Sequence, residues 1–286
     1  MSKIHEIAFA KINLDLRVCH RRADSYHDLD SLVVFTDAGD HLTFEPADGC
    51  HLTIEGPFKD DLSNAEDNLV MRAAKALADM ADRAPDVRIT LDKNLPIASG
   101  IGGGSADAAA TLRGLTRLWN LPLGLADLVP LAQTLGADVP VCLGSTAARM
   151  QGIGDRLTSM TLPPADLPII LVNPGKAVST PEVFRALDVF SGSRNALSFD
   201  RIGEEFSTHL EGSVNDLETP AIRIEPEIDV VLRELRRHPG VMLTRMSGSG
   251  ATCFALFNER AARDRASIAV SADYPNWWVR GTGIKR

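Results

Sequence analysis

The 286-residue chain is predicted to be an α+β protein of two domains. Three observations carry this. Strand-like and helix-like segments are mixed along the chain, and one pair of strands is joined by a Gly-Ser turn, as in an α+β sandwich. The stretch Thr161-Leu162-Pro163-Pro164-Ala165 reads as a linker, which divides the chain into 1–160 and 161–286. The length suffices for one large or two ordinary domains with a sizeable core.

Composition narrows the class. With 44% hydrophobic and 24% charged residues and no low-complexity tract, the chain is globular. A net charge of −8 argues against non-specific binding to nucleic acid or membranes, so an anionic substrate needs a local basic site. Met1 to Ala10 lacks the apolar core of a signal peptide, and no apolar run approaches a membrane span. Cys19, Cys50, Cys142 and Cys253 lie far apart with no CxxC, as expected of reduced thiols in a cytoplasmic protein.

The elements follow in order. Ile12, Leu14, Leu16 and Val18 alternate with Lys11, Asn13, Asp15 and Arg17, which predicts a strand with one buried face. Lys11 and Asn13 share the other face, roughly 7 Å apart at about 3.3 Å of rise per residue. A polar turn, Arg21 to His27, precedes a strand over Leu32 to Phe35. His41-Leu42-Thr43-Phe44-Glu45 and His51-Leu52-Thr53-Ile54-Glu55 repeat one pattern across Pro46-Ala47-Asp48-Gly49, which predicts a hairpin. His41 and His51 lack the companions that metal ligation needs, and no metal site is expected there. Asp67 or Asn68 can cap a helix from Leu69 to about Met80.

Asp86 to Leu91 alternates as a strand, and Ala108 to Trp119 has helical spacing. Between them, Gly100, Gly102, Gly103 and Gly104 occupy four of five positions. Glycine loses the most entropy on ordering, so such a cluster implies backbone that bends or lies against a ligand. A strand, a glycine bend and a helix start leave several N–H groups converging at the positive end of the helix dipole, which binds phosphate. This is not a Walker A loop: the chain's Gly175-Lys176 continues with Ala177. It is also not the dinucleotide fingerprint, because Ser105 stands where the third glycine belongs.

A second helix covers Leu125 to Leu135 and ends at Gly136. Asp138 follows on a short loop before an apolar strand, Val141-Cys142-Leu143. An acid held there is partly desolvated and is a candidate base, or else the acceptor of an Asx turn. After the linker come a strand (Leu167 to Val172) and helices (Pro181 to Leu187, Arg201 to Leu210, Pro226 to Arg237). Strands Val241 to Met246 and Ala251 to Phe257 flank Ser247-Gly248-Ser249-Gly250, then a helix (Arg260 to Val270) and a strand (Trp277 to Arg280) complete the chain. Trp277-Trp278 reads as core or interface.

Three of these stretches together, Ala10-Lys11-Ile12-Asn13-Leu14, Pro96 to Ala109 and Ser247-Gly248-Ser249-Gly250-Ala251-Thr252, resemble in order the motifs of the GHMP small-molecule kinases. The resemblance implies an N-terminal ribosomal-S5-like domain, a C-terminal ferredoxin-like domain and an active site in the cleft between them. It implies ATP with Mg2+. The runs Arg21 to Leu29 and Gly136-Ala137-Asp138-Val139-Pro140 are similar to those of members that phosphorylate the 2-hydroxyl of a cytidyl-bearing polyol in the non-mevalonate isoprenoid pathway. On that resemblance, Asp138 is the base and Lys11 neutralises charge between it, the hydroxyl and the γ-phosphate. Asn13 places the substrate, while Tyr26, His27, Phe184 and Thr180 hold the cytosine end. Asn68 and Pro96 lie by the nucleotide, and Gly100, Gly102, Gly103, Gly104 and Ser105 wrap its phosphates. Gly248 and Ser249 close the substrate side. The chain departs from the family's common pattern at Ser25, Ala106, Met150 and Asp155, none of them a residue given a role. The other readings are a homoserine- or mevalonate-type GHMP kinase and a nucleotide-binding regulator without catalysis.

Overall fold

The computed structural model describes residues 3–24, 26–62, 67–161, 167–192 and 212–285. The chain divides into two compact units: Met1–Ala10 with Gly39–Ile97 and Gly102–Ser145, and Lys11–Ala38 with Ala98–Ile101 and Thr146–Arg286. Two long strands, β1 (Ile4–Arg21) and β2 (His27–Glu45), supply a part to each.

In the first unit, the C-terminal part of β2 is followed by β3 (Cys50–Glu55), α1 (Leu69–Met80) and β4 (Val87–Asp92). The expected hairpin does not form. β4 lies between the two HLTxE repeats, antiparallel to one (His41↔Asp92, Glu45↔Arg88) and parallel to the other (His51↔Arg88, Glu55↔Asp92). Turn residues report only local chain reversal; here a strand from beyond α1 takes the central place. Parallel pairing needs a crossover, and α1 provides it. Asn68 caps α1 by accepting a hydrogen bond from the Val70 N–H at 2.9 Å. Val70, Ala73, Ala74 and Leu77 then form the buried stripe that packs on α2.

That helix, α2 (Gly103–Leu118), starts five residues before the expected Ala108, so Gly103 and Gly104 belong to its own first turn and Gly102 is its N-cap. Its run of small residues, Ala106 and Ala108 to Ala110, is buried and lets neighbouring helices approach. At Gly114 a Cβ would meet Phe44 Cε2 of β2 at 2.3 Å, so only glycine fits. α3 (Leu125–Leu135) ends at Gly136 as expected, in extended rather than left-handed backbone. The expected strand at Val141 to Leu143 is instead a short helix, α4 (Val139–Gly144). A short apolar run has no readable period, and Pro140 in the first turn decides for helix.

In the second unit, residues Lys11 through Leu16 of β1 are buried on both faces, not on one; Lys11, Asn13 and Asp15 are at most 4% exposed. The N-terminal part of β2 pairs with β5 (Ala148–Gly152), which pairs with β6 (Arg156–Ser159). Neither β5 nor β6 carries a clear signal in the sequence. A second sheet has the antiparallel order β10-β7-β9-β8, built from β7 (Pro168–Asn173), β8 (Val241–Met246), β9 (Cys253–Phe257) and β10 (Trp278–Gly283). Between β7 and β8 come α5 (Thr180–Arg185), α6 (Glu218–Ile224) and α7 (Glu227–Arg236); α8 (Arg260–Asp273) joins β9 to β10. This is the split β-α-β arrangement of a ferredoxin-like domain, as expected. Its core joins Ile170, Val172, Val231, Leu235, Phe257 and Val270 with Leu16 and Val18 of β1. Trp277 is in this core, stacked on Tyr274 with centroids 3.8 Å apart. The linker expected beyond Thr161 and the helix expected at 201–210 lie outside the described residues. No described helix is long and apolar enough to cross a membrane.

Candidate active site

Within the second unit, the three motifs meet. The Lys11 N–H of β1 donates to the Ile101 carbonyl at 2.9 Å, and the Thr252 N–H donates to the Ser99 carbonyl at 3.1 Å. Ser247 sits at the junction: its hydroxyl accepts from the Asn13 N–H at 3.1 Å and donates to the Gly100 carbonyl at 3.0 Å. The backbones cross so closely that a Cβ on Gly100, whose φ is +74°, would lie 2.3 Å from the Ser247 carbonyl oxygen. A Cβ on Gly248, whose φ is +55°, would lie 2.6 Å from the Gly100 carbonyl oxygen. Both glycines are therefore required by shape as well as by backbone angle.

The residues expected to bind substrate lie in the same unit. The Asn13 amide donates to the Ser31 hydroxyl at 2.8 Å, while its buried Oδ1 has no partner among the described residues. Thr180 and Ser249 share a hydroxyl–hydroxyl hydrogen bond of 2.6 Å. His27 stacks on Phe184 with ring centroids 4.9 Å apart, and Phe190 lies 6.2 Å from His27. Burial, then the nearby Arg21, lowers the His27 pKa. The neutral imidazole offers one donor and one acceptor. Tyr26 is 61% exposed.

The glycine turn has its own geometry. Ala98, Gly100 and Gly102, at every second position, have φ of +47°, +74° and +65°. Such alternation turns successive N–H groups to one side, the backbone form of anion-binding concavities in general.

Within the first unit, α2 presents Gly103, Gly104 and Ser105 as its first turn, whose N–H groups have no partner inside a helix. Pro96 is buried where the turn begins. Asn68 spends its side-chain oxygen on capping α1. Asp138 is the N-cap residue of α4, half-buried, with no capping hydrogen bond from its side chain.

Several contributors are missing from the sequence reading. Asn215 donates through one amide nitrogen to the Met246 and Gly248 carbonyls, each at 2.8 Å, and so holds the Ser247–Gly250 turn. Phe190 joins the aromatic cluster. In the first unit, Lys93 is 2% exposed and lies between Asp40 and Asp107 at 2.5 Å and 2.7 Å. Burial, opposed by Lys93 and assisted by Asp40, pushes the Asp107 pKa up to about 7. Of these only Asp107 stands in a motif, and its partners Lys93 and Asp40 lie outside it, so only the folded chain reveals them.

Comparison with known proteins agrees with the motifs. Residues 68–145 match the GHMP kinases N terminal domain and residues 196–276 the GHMP kinases C terminal domain. A protein of Rhodospirillum rubrum named 4-diphosphocytidyl-2-C-methyl-D-erythritol kinase is 50% identical over 276 residues, covering 96% of this chain and 90% of its own. The chain belongs to the GHMP kinase family. As a GHMP kinase it is an ATP-dependent small-molecule kinase. A crystal structure of 4-(cytidine 5'-diphospho)-2C-methyl-D-erythritol kinase, 35% identical, superposes with a TM-score of 0.81 over 99% of this chain and all of that one. The homoserine kinase of Cytophaga hutchinsonii shares the fold at 20% identity, with a TM-score of 0.74 over 99% and 96% of the two chains.

Proposed function

We propose that this kinase transfers the γ-phosphate of ATP to the 2-hydroxyl of 4-diphosphocytidyl-2-C-methyl-D-erythritol, a step of non-mevalonate isoprenoid synthesis. The observation that carries the reading is the Ser247 junction, which ties the Lys11–Asn13 strand, the glycine turn and the Gly-Ser turn into one framework. The names of full-length relatives support the choice of substrate.

Phosphoryl transfer asks for in-line positioning and charge neutralisation more than covalent chemistry. The nest at Ala98, Gly100 and Gly102 and the first turn of α2 suit a triphosphate. Asp138 takes the proton of the 2-hydroxyl as its oxygen attacks the γ-phosphorus; the bond to the β-phosphate oxygen breaks and ADP leaves. Lys11 neutralises the charge that gathers between them. Asn13 Oδ1, buried without a partner among the described residues, is an acceptor for a polyol hydroxyl. Neutral His27 reads the cytosine edge, with Tyr26 and Phe184 on its faces; Thr180, Gly248 and Ser249 close that side.

Mg2+ fits a site of this composition. It keeps most of its ligands as phosphate oxygens and water and needs one or two protein oxygens. The Ser105 hydroxyl in the first turn of α2 is the candidate. The ion neutralises phosphate charge when bound.

We assign an N-terminal ATP-binding domain to 1–160 and a C-terminal domain to 161–286, because the matched stretches fall on either side of that boundary. The protein works in the cytoplasm on a small molecule, without nucleic acid or membrane. ADP release from ATP with a panel of acceptors tests the substrate. The cytidyl polyol is expected to support turnover, and turnover with homoserine or mevalonate instead would overturn the assignment.

A further inference from the structure

A buried charge cluster underlies the phosphate turn, and the transfer step makes no use of it. The Lys93 ammonium donates to Asp40 Oδ2 and Asp107 Oδ2. The other oxygen of Asp40 accepts the N–H groups of Asn94 and Leu95, at 2.6 and 2.8 Å, where the chain leaves β4 for the turn. Asp107 stands one turn inside α2, and its Oδ1 is buried without a partner among the described residues. A Cβ on Gly103 would lie 3.2 Å from Lys93 Nζ and 3.9 Å from Asp40 Oδ2. One nitrogen therefore ties the start of the turn to the start of the helix, directly beneath the first helical residue. All three residues are at most 2% exposed. A buried ion cluster is a poor source of stability compared with apolar side chains, so geometric constraint is the better reason for it.

We propose that Lys93, Asp40 and Asp107 are positioning residues that hold the first turn of α2 in the shape that binds the nucleotide's phosphates. The proposal rests on the ATP reading of that turn. Asp107→Leu removes an acceptor from Lys93, whereas Asp107→Asn keeps an oxygen for it. Both variants and the wild type are compared well below their melting temperatures, by calorimetric ATP binding and by KM for each substrate. Asp107→Leu is expected to weaken ATP binding at least tenfold while the KM of the alcohol stays within twofold. Asp107→Asn is expected to stay within threefold of wild type for ATP.

Unchanged ATP affinity in Asp107→Leu overturns the proposal, as does an equal loss for both substrates. If Asp107→Leu does not fold, Asp40→Asn asks the same question, because one amide oxygen cannot serve both the ammonium and the backbone N–H groups. It is expected to weaken ATP binding at least threefold, and an unchanged affinity overturns the proposal. Failure of the wild-type chain to bind ATP would overturn the nucleotide reading and this proposal together, whereas wild-type binding with insensitive variants overturns this proposal alone.

Discussion

Tyr26 and His27 adjoin in sequence but differ in setting: the imidazole already stacks on Phe184, while the phenol is 61% exposed. A base stacked on an aromatic ring gains about 1–3 kcal/mol. Tyr26→Ala is therefore expected to raise the KM for the cytidyl substrate roughly tenfold and leave that for ATP within twofold, measured by initial rates. An equal effect on both would remove Tyr26 from the cytosine site. Asp107 gives a second expectation. Its pKa in the folded chain, about 7, lies above the usual carboxylate value, with Lys93 and Asp40 facing it. The folded state therefore binds more protons than the unfolded state, and stability from this group falls as pH rises from about 4 to about 7. Denaturant titrations should show Asp107→Asn gaining on wild type across that window and levelling off above it. At this scale Lys11, Asn13 and the glycines were legible because a motif surrounds them. Lys93 was not, since its two partners are 53 and 14 residues away.

Among the elements, α2 shows how packing overrides propensity. Glycine weakens a helix interior, yet Gly114 is needed because Phe44 occupies the space of a Cβ. Gly114→Ala should destabilise the protein by about 1–3 kcal/mol through overpacking, despite alanine's better helix propensity. Urea denaturation checks this; unchanged stability would mean that Phe44 moves freely. Most helices and strands were readable from periodicity and caps, as Asn68 shows at the start of α1. The hairpin of His41–Glu45 and His51–Glu55 was misread because β4, inserted from beyond α1, competes for both strands. The strand expected at Val141–Leu143 failed for a different reason: three apolar residues fit either period.

For the whole molecule, the mixed α+β class and the ferredoxin-like order were legible, whereas the tracing of the two units was not. The second unit takes residues 11–38 from the N-terminal part of the chain, and Leu16 and Val18 stand in its core. Local patterns carry no information about such long-range sharing. A fragment of residues 161–286 lacks those two side chains and the strand that bears them. It is expected to lose the fixed packing of the intact protein, which near-ultraviolet circular dichroism around Trp277 and Tyr274 would register; a native spectrum from the fragment would contradict this.

The proposed chemistry turns on one carboxylate that accepts a proton while the glycine turn grips the nucleotide. Single-turnover phosphorylation of 4-diphosphocytidyl-2-C-methyl-D-erythritol by Asp138→Ala, with ATP affinity measured on the same sample, tests this most directly. The predicted result is a transfer rate at least ~10² lower than wild type with ATP affinity little changed. An unaltered transfer rate would contradict it.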